Sequence, residues 1–188
     1  MGNVVVAEFV SIDGVVEAPG GEPGYPHTGW VAKFQSAAQI QYKFEEVLAH
    51  EALLLGRKTY ESFAGAWPSY KGDFADKMNS MPKYVASTTL AKADWNNTTV
   101  LKGDAIRAVA QLKRELSGDM LVHGSRTLVN ALKRHDLVDE YRLMVFPIVL
   151  GSGMRLFEDT EDATTLRLVD THRLDNGTAV LTYRPQRA

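Results

Sequence analysis

The sequence predicts one three-layer α/β domain over residues 1–188, built on a mixed sheet whose last strands run antiparallel. Three observations carry this expectation. As far as Asp139, short apolar runs of strand length alternate with segments whose apolar residues recur at helical spacing. After it come three strand-like segments with no helical stripe between them. Finally, no internal repeat, low-complexity tract or linker divides the chain.

Asn3–Val10 is rich in Val and is broken by Asp13-Gly14, which predicts a strand and a turn, and the Gly and Pro residues of 19–29 predict a long loop. Between Lys33 and Ala49, Phe34, Ala37, Gln41, Phe44 and Leu48 fall on one helical face. Ala52–Leu55, wholly apolar and ended by Gly56, suits a strand buried on both faces inside a parallel region. Lys83–Ser87 and Thr98–Leu101 read as strands, and Ile106, Val109, Leu112 and Leu116 as a helical stripe. Met120–His123 is a short strand, followed by a helix marked by Leu128, Val129 and Leu132. The closing segments Tyr141–Val149, Leu166–Thr171 and Thr178–Tyr183 are separated by turns rich in Gly and Asp, which predicts an antiparallel end to the sheet.

Composition excludes several classes of function. The 188 residues are 45% hydrophobic and 23% charged, an ordinary mixture long enough to bury one sizeable core. Lys and Arg number 21 against 23 Asp and Glu, so no basic surplus exists for a nucleic-acid backbone or an anionic membrane. The absence of Cys removes disulfides, thiolate metal sites and a Cys nucleophile, and points to a cytoplasmic protein. The longest apolar run, Leu143–Leu150, contains Pro147 and falls far short of the roughly 20 residues that span a bilayer. No basic residue precedes the apolar start, so no secretory signal is expected. The five histidines lack paired spacing, and no metal is expected.

Two strand ends carry phosphate chemistry. Gly56-Arg57-Lys58-Thr59 lies where a buried strand gives way to a helix: Gly permits close backbone approach, the helix amides attract an anion, and Arg57 and Lys58 add positive charge. Gly124-Ser125-Arg126-Thr127-Leu128 repeats the arrangement after another apolar strand, with Ser125 as N-cap. Ser87-Thr88-Thr89 ends a third strand with hydroxyl donors. In a doubly wound sheet all three lie at the carboxyl ends of strands, where a nucleotide fits. Gly151-Ser152-Gly153 begins like a dinucleotide fingerprint but has Leu156 at its last glycine position and reads mainly as a turn. His123 either donates to a ligand or packs against a backbone partner. Asp13 and Glu17, in the early loop, are candidate acids for proton transfer, although Asp13-Gly14 is also good turn chemistry.

Taken together, Ser11-Ile12-Asp13-Gly14, Leu54 to Glu61, Pro82 to Leu90, Gly124 to Leu128, and Leu137 to Arg142 continuing through Pro147 to Gly153 resemble the dihydrofolate-reductase-like family. The similarity is greatest to stand-alone proteins like the C-terminal reductase domain of the bifunctional riboflavin-biosynthesis deaminase-reductase. It covers nearly the whole chain. It implies a mixed sheet of about eight strands with flanking helices, binding NADPH across the strand ends and passing hydride to a small heterocycle.

By motif, the resemblance implies that Ala7 and the Asp13 loop border the nicotinamide and that Gly56–Thr59 and Gly124–Leu128 hold the phosphates. Arg57, Thr88 and Arg126 then meet the 2′-phosphate, a role suited to two guanidinium forks and a hydroxyl. The heterocycle is expected between the Asp13 loop, Trp30 and Phe44, with Gln41 beside it, and Asp13, Glu17 or water as proton source. The sequence departs from the family where classical dihydrofolate reductases carry a carboxylate on the first helix. Here that position is Ile40, between Gln39 and Gln41, and Val122-His123 stands where the riboflavin enzyme has Glu. The nearest named activity is 5-amino-6-(5-phosphoribosylamino)uracil reductase. The alternatives are dihydrofolate-reductase-type activity and NADPH binding without turnover. A homodimer is also implied.

Overall fold

The computed structural model describes residues 1–161 and 163–186. The apolar runs become the middle of an eight-stranded sheet. Its strands are Val4–Ser11 (β1), Ala52–Gly56 (β2), Lys83–Ala86 (β3), Thr98–Leu101 (β4), Met120–His123 (β5), Glu140–Phe146 (β6), Leu166–Arg173 (β7) and Ala179–Pro185 (β8). Their order across the sheet is β4-β3-β2-β5-β1-β6-β8-β7. The first six in that order are mutually parallel, and β8 runs antiparallel to both β6 and β7. This is the mixed sheet with an antiparallel C-terminal end that the sequence predicts.

Helices cover both faces, which is why β2 and β5 can be apolar on both sides. Ala37–Leu48 (α1), Arg57–Ala66 (α2) and Asp73–Ser80 (α3) lie on one face, where Val47, Tyr60 and Met78 pack against Leu53, Leu55 and Leu121. Ala105–Glu115 (α4) and Arg126–Arg134 (α5) close the other face, where Val109, Val129 and Leu132 meet Val4, Val6 and Val122. A third apolar cluster, including Val15, Trp30, Phe146 and Leu150, lies beneath the long loop after β1.

The first helix departs from its predicted course. It begins at Ala37 rather than Lys33, because Trp30–Phe34 forms a separate 3-10 turn and Ser36 caps α1, its hydroxyl accepting from the Gln39 amide at 3.2 Å. The buried face is Gln39, Glu46 and Val47, while Ile40 is 46% exposed and Leu48 50% exposed. Polar burial is possible here because each group is satisfied: Gln39 Oε1 accepts from Asn176 Nδ2 at 3.0 Å, and Glu46 is paired with Lys43. Helix α3 has no counterpart in the predicted pattern. Strands β3 and β6 end at Ala86 and Phe146, earlier than expected, where the chain turns away from its neighbours.

Candidate active site

The order of connections makes the crevice. From β1 the chain crosses to β2 on the α1 face, whereas from β5 it crosses β1 to β6 through α5 on the opposite face. The carboxyl ends of β1, β2 and β5 therefore border a topological switch point, the place where open α/β sheets bind ligands. Pairing between β1 and β5 stops at Ala7↔His123, and beyond that pair the strands part.

The two glycine turns meet at this point. Gly56 ends β2 and is the N-cap of α2, with no side-chain cap on the helix amides. Its amide donates to Ser125 Oγ at 2.8 Å. Thr59 Oγ1 accepts the Ser125 amide at 3.0 Å and receives the Ser125 hydroxyl at 3.0 Å. Ser125 adopts a left-handed conformation with φ 62° and leaves the first amides of α5 without a side-chain cap. It stands at the predicted N-cap position, but its hydroxyl joins the two turns instead of capping its own helix. Gly124 has φ +56°, and a Cβ there would lie 3.0 Å from Thr59 Oγ1, so the turn requires glycine both for its backbone and for its space.

The charged groups expected at these turns lie around their rim. Arg57 Nη1 donates to both carboxylate oxygens of Glu61, at 3.0 and 3.1 Å, while Lys58 is exposed beside it. Arg126 Nε donates to the Arg155 carbonyl oxygen. Thr127 and Thr88 are exposed. Ser87 Oγ accepts from the amides of Thr89 and Leu90, at 3.2 and 2.9 Å, so it caps its own turn. The Leu128 side chain is in the core under α5, which leaves its backbone as the part able to meet a ligand.

The expected acids are bound up in loop structure. Asp13 accepts from the Ser11 hydroxyl at 2.6 Å and from the amides of Leu150 and Gly151 at 3.1 and 2.8 Å. The Ser11 hydroxyl, with those two amides, outweighs burial and holds the Asp13 carboxyl at about 2. Glu17 accepts from the Met154 amide at 2.8 Å. Both carboxylates thus clamp the segment after β6, where Gly151-Ser152-Gly153 forms the predicted turn. Gly153, at φ +119°, packs so closely that a Cβ would lie 2.8 Å from Val15 Cγ1.

The expected substrate groups do not converge: Trp30 lines a cavity with His27, Lys33 and Leu150, which Gln41 and Phe44 do not border. Trp30 is 1% exposed, its indole N–H donates to the Glu17 carbonyl at 2.9 Å, and its ring packs edge-on against Phe146. The indole N–H and the ring are thus already partnered within the third apolar cluster. Gln41 faces outward, donating to Glu45 Oε1 at 2.8 Å, and Phe44 packs against Phe74 of α3 with centroids 5.4 Å apart.

A buried polar cluster, missed in the sequence, lies beneath α1. Lys43 pairs with Glu46, and Arg142 of β6 stands 3.9 Å from the second Glu46 oxygen. Burial pushes the Glu46 carboxyl up, but the charge and hydrogen bond of Lys43, with the Arg142 charge behind it, outweigh it and hold it below the usual carboxylate range. His123 Nδ1 bonds the Ala7 carbonyl oxygen at 3.1 Å, which is the backbone-partnered alternative. Burial, reinforced by the Lys43 charge, lowers this imidazole to about 3 and keeps it neutral. Glu8, 5% exposed on β1, accepts from the Gly124 amide and feels the charges of Lys43 and Glu46. The available signal was a lone carboxylate inside the Val-rich run of β1.

Residues 3–180 match the RibD C-terminal domain family. The chain belongs to that family. RibD C-terminal domains are reductase domains, which makes this chain an oxidoreductase by family. Two Bacillus subtilis proteins are similar along most of their length: YyaP, 26% identical over 96% of this chain and 94% of its own, and YwjB, 29% identical over 86% of each. A putative riboflavin biosynthesis protein of Shewanella sp. PV-4 shares the fold with TM-score 0.78 and 19% identity, covering 98% of this chain and 99% of its own. Acinetobacter baumannii RibD matches with TM-score 0.69 and 16% identity over 100% of this chain, which spans only 59% of RibD. Enterococcus faecalis dihydrofolate reductase, in complex with NADP(H), matches with TM-score 0.59 and 13% identity over 98% of this chain and 97% of its own, so the fold is dihydrofolate-reductase-like. Among the described residues, no helix is long and apolar enough to cross a membrane, and no group of three or more His, Asp or Glu is placed to hold a metal ion.

Proposed function

We propose that this RibD-type domain is an NADPH-dependent reductase acting on a small heterocycle, nearest in activity to 5-amino-6-(5-phosphoribosylamino)uracil reductase. The observation that carries the reading is the pair of glycine turns at Gly56 and Gly124, tied through Ser125 and opening the uncapped helices α2 and α5 from adjacent strand ends. Uncapped N-terminal amides and a glycine cradle fit a diphosphate. Arg57, Arg126 and Thr88 at the rim fit the additional dianion of a 2′-phosphate. When bound, the dihydronicotinamide supplies a hydride from C4. The chain's own part is to anchor the phosphates at the two turns, to orient the ring near Ala7 where β1 and β5 separate, and to exclude water with the clamped Asp13 loop. We place the protein in the cytoplasm as a homodimer.

The test is a titration with NADPH and NADH, following nicotinamide fluorescence. Loss of a charge-assisted bond worth about 1.5–3 kcal/mol corresponds to about tenfold or more in affinity. Arg57→Ala and Arg126→Ala are each expected to weaken NADPH by about tenfold while changing NADH far less. Equal weakening of both cofactors would overturn the 2′-phosphate assignment. A second reading, cofactor binding without turnover, draws on the commitment of Asp13 and Glu17 to loop structure and the burial of Trp30. Turnover with an aminouracil ribitide or with dihydrofolate removes it.

A further inference from the structure

Glu8 stands one residue past the last β1–β5 pair, where the two strands separate. It lies 5% exposed, and its Oε1 has no hydrogen-bond partner among the described residues, although the Gly124 amide bonds the carboxyl. A buried carboxyl with one oxygen left unpaired is costly, and such groups mark places where a ligand completes the set. This one adjoins the turn that would hold the cofactor phosphates. Its carboxyl accepts from the Gly124 amide and lies within the electrostatic reach of Lys43 and Glu46 of α1, with Arg142 on the neighbouring strand β6 paired to Ala7.

The other titratable groups of the crevice are already in use. Asp13 and Glu17 hold the amides of residues 150–154. Glu46 is ionised against Lys43 and Arg142. His123 is neutral, with its Nδ1 proton bonded to Ala7. Among the described residues of the crevice, Glu8 combines an unpartnered buried oxygen with a place at the strand ends.

We propose that Glu8 is the acid that protonates the substrate at a polarised C=N or C=O bond. This role rests on the reductase reading above. In the step, the C4–H bond of the dihydronicotinamide breaks and its electron pair forms a C–H bond at the substrate carbon. The π pair of the C=N or C=O bond takes the carboxyl proton of Glu8, forming N–H or O–H. NADP⁺ and the Glu8 carboxylate remain, and the carboxylate recovers its proton from solvent. Burial, opposed by Lys43 and the Gly124 amide and aided by Glu46, lifts this carboxyl well above the ordinary range, so it keeps a proton that Asp13 and Glu46 have lost.

The test combines two measurements on the full chain. Infrared difference spectroscopy of the wild type against Glu8→Gln, without substrate, is expected to show a protonated carboxylic C=O stretch that disappears as pH rises. In single-turnover assays, Glu8→Gln should bind NADPH within about threefold of wild type yet lose about 10²–10⁴-fold in rate, the range for a positioned general acid. The wild-type rate should fall as pH rises through the same transition. Lys43→Met, which removes the cation favouring the charged form, should move that limb to higher pH. Turnover by Glu8→Gln within tenfold of wild type, or an ionised Glu8 at neutral pH in a chain that binds NADPH, overturns the role alone. Failure of the wild type to bind NADPH overturns the role and the reductase reading together.

Discussion

Replacing Gly124 with Ala tests the junction of the two turns. The left-handed backbone, at φ +56°, costs an Ala residue about 1 kcal/mol. The added methyl would lie 3.0 Å from Thr59 Oγ1 and 3.2 Å from Thr59 Cγ2. Overpacking of this kind typically adds about 1–2 kcal/mol. A total of about 2–3 kcal/mol, set against an unfolding entropy of roughly 0.4 kcal/mol/K for a chain of this length, lowers Tm by about 5–7 °C. In a Thr59→Ala background both crowding atoms are gone, so only the backbone cost of about 1 kcal/mol should remain. Urea unfolding of the four proteins in the cycle should therefore give a coupling of about 1–2 kcal/mol, with Gly124→Ala milder in the variant background. Additivity within about 0.5 kcal/mol would refute the contact between the turns.

Lys83 is fully buried, and its ammonium donates to the carbonyls of Asn79, Met81 and Asn96 at 3.0, 2.7 and 3.0 Å. Lys83→Met keeps the bulk but strands three acceptors, and urea unfolding should show a loss of about 2–4 kcal/mol; a loss below about 1 kcal/mol contradicts this. Asp13, held at about 2, contributes stability that is fully present above the unfolded value of about 4 and is lost as pH falls toward 2. Asp13→Asn should accordingly be less stable than wild type at pH 6, with the gap closing between about pH 4 and 2; a gap constant across that range speaks against the clamp.

The sheet was legible where burial is purely apolar. Ala52–Leu55 and Met120–Val122 can be read directly because both faces are covered by helices, leaving no alternation to interpret. Helix α1 misled for the opposite reason: Gln39 and Glu46 are buried through local partners, which turns Ile40 and Leu48 outward. Periodicity counts apolar residues and is blind to a polar face neutralised by its own ion pairs. The short helix α3 escaped because its inward residues Ala75 and Met78 are too few to set a period. The glycine turns were identifiable from composition, but their union through Ser125 depends on a contact between residues 66 positions apart. The hydrogen bonds of Asp13 could not be read locally, since a carboxylate in a loop looks the same in sequence whether or not it holds the backbone of residues 150–151.

Ser125 carries a consequence for altering this site. Its hydroxyl receives the Gly56 amide and meets Thr59, while its own amide is held by the same threonine. The turn after β2 and the turn after β5 are thereby spliced into one rigid receptor, even though they belong to separate crossovers. Redesign of one turn alone will therefore disturb the other at once. Exchanging the two loops as a matched pair, with Thr59 and Ser125 moved together, is the unit of change that this architecture permits.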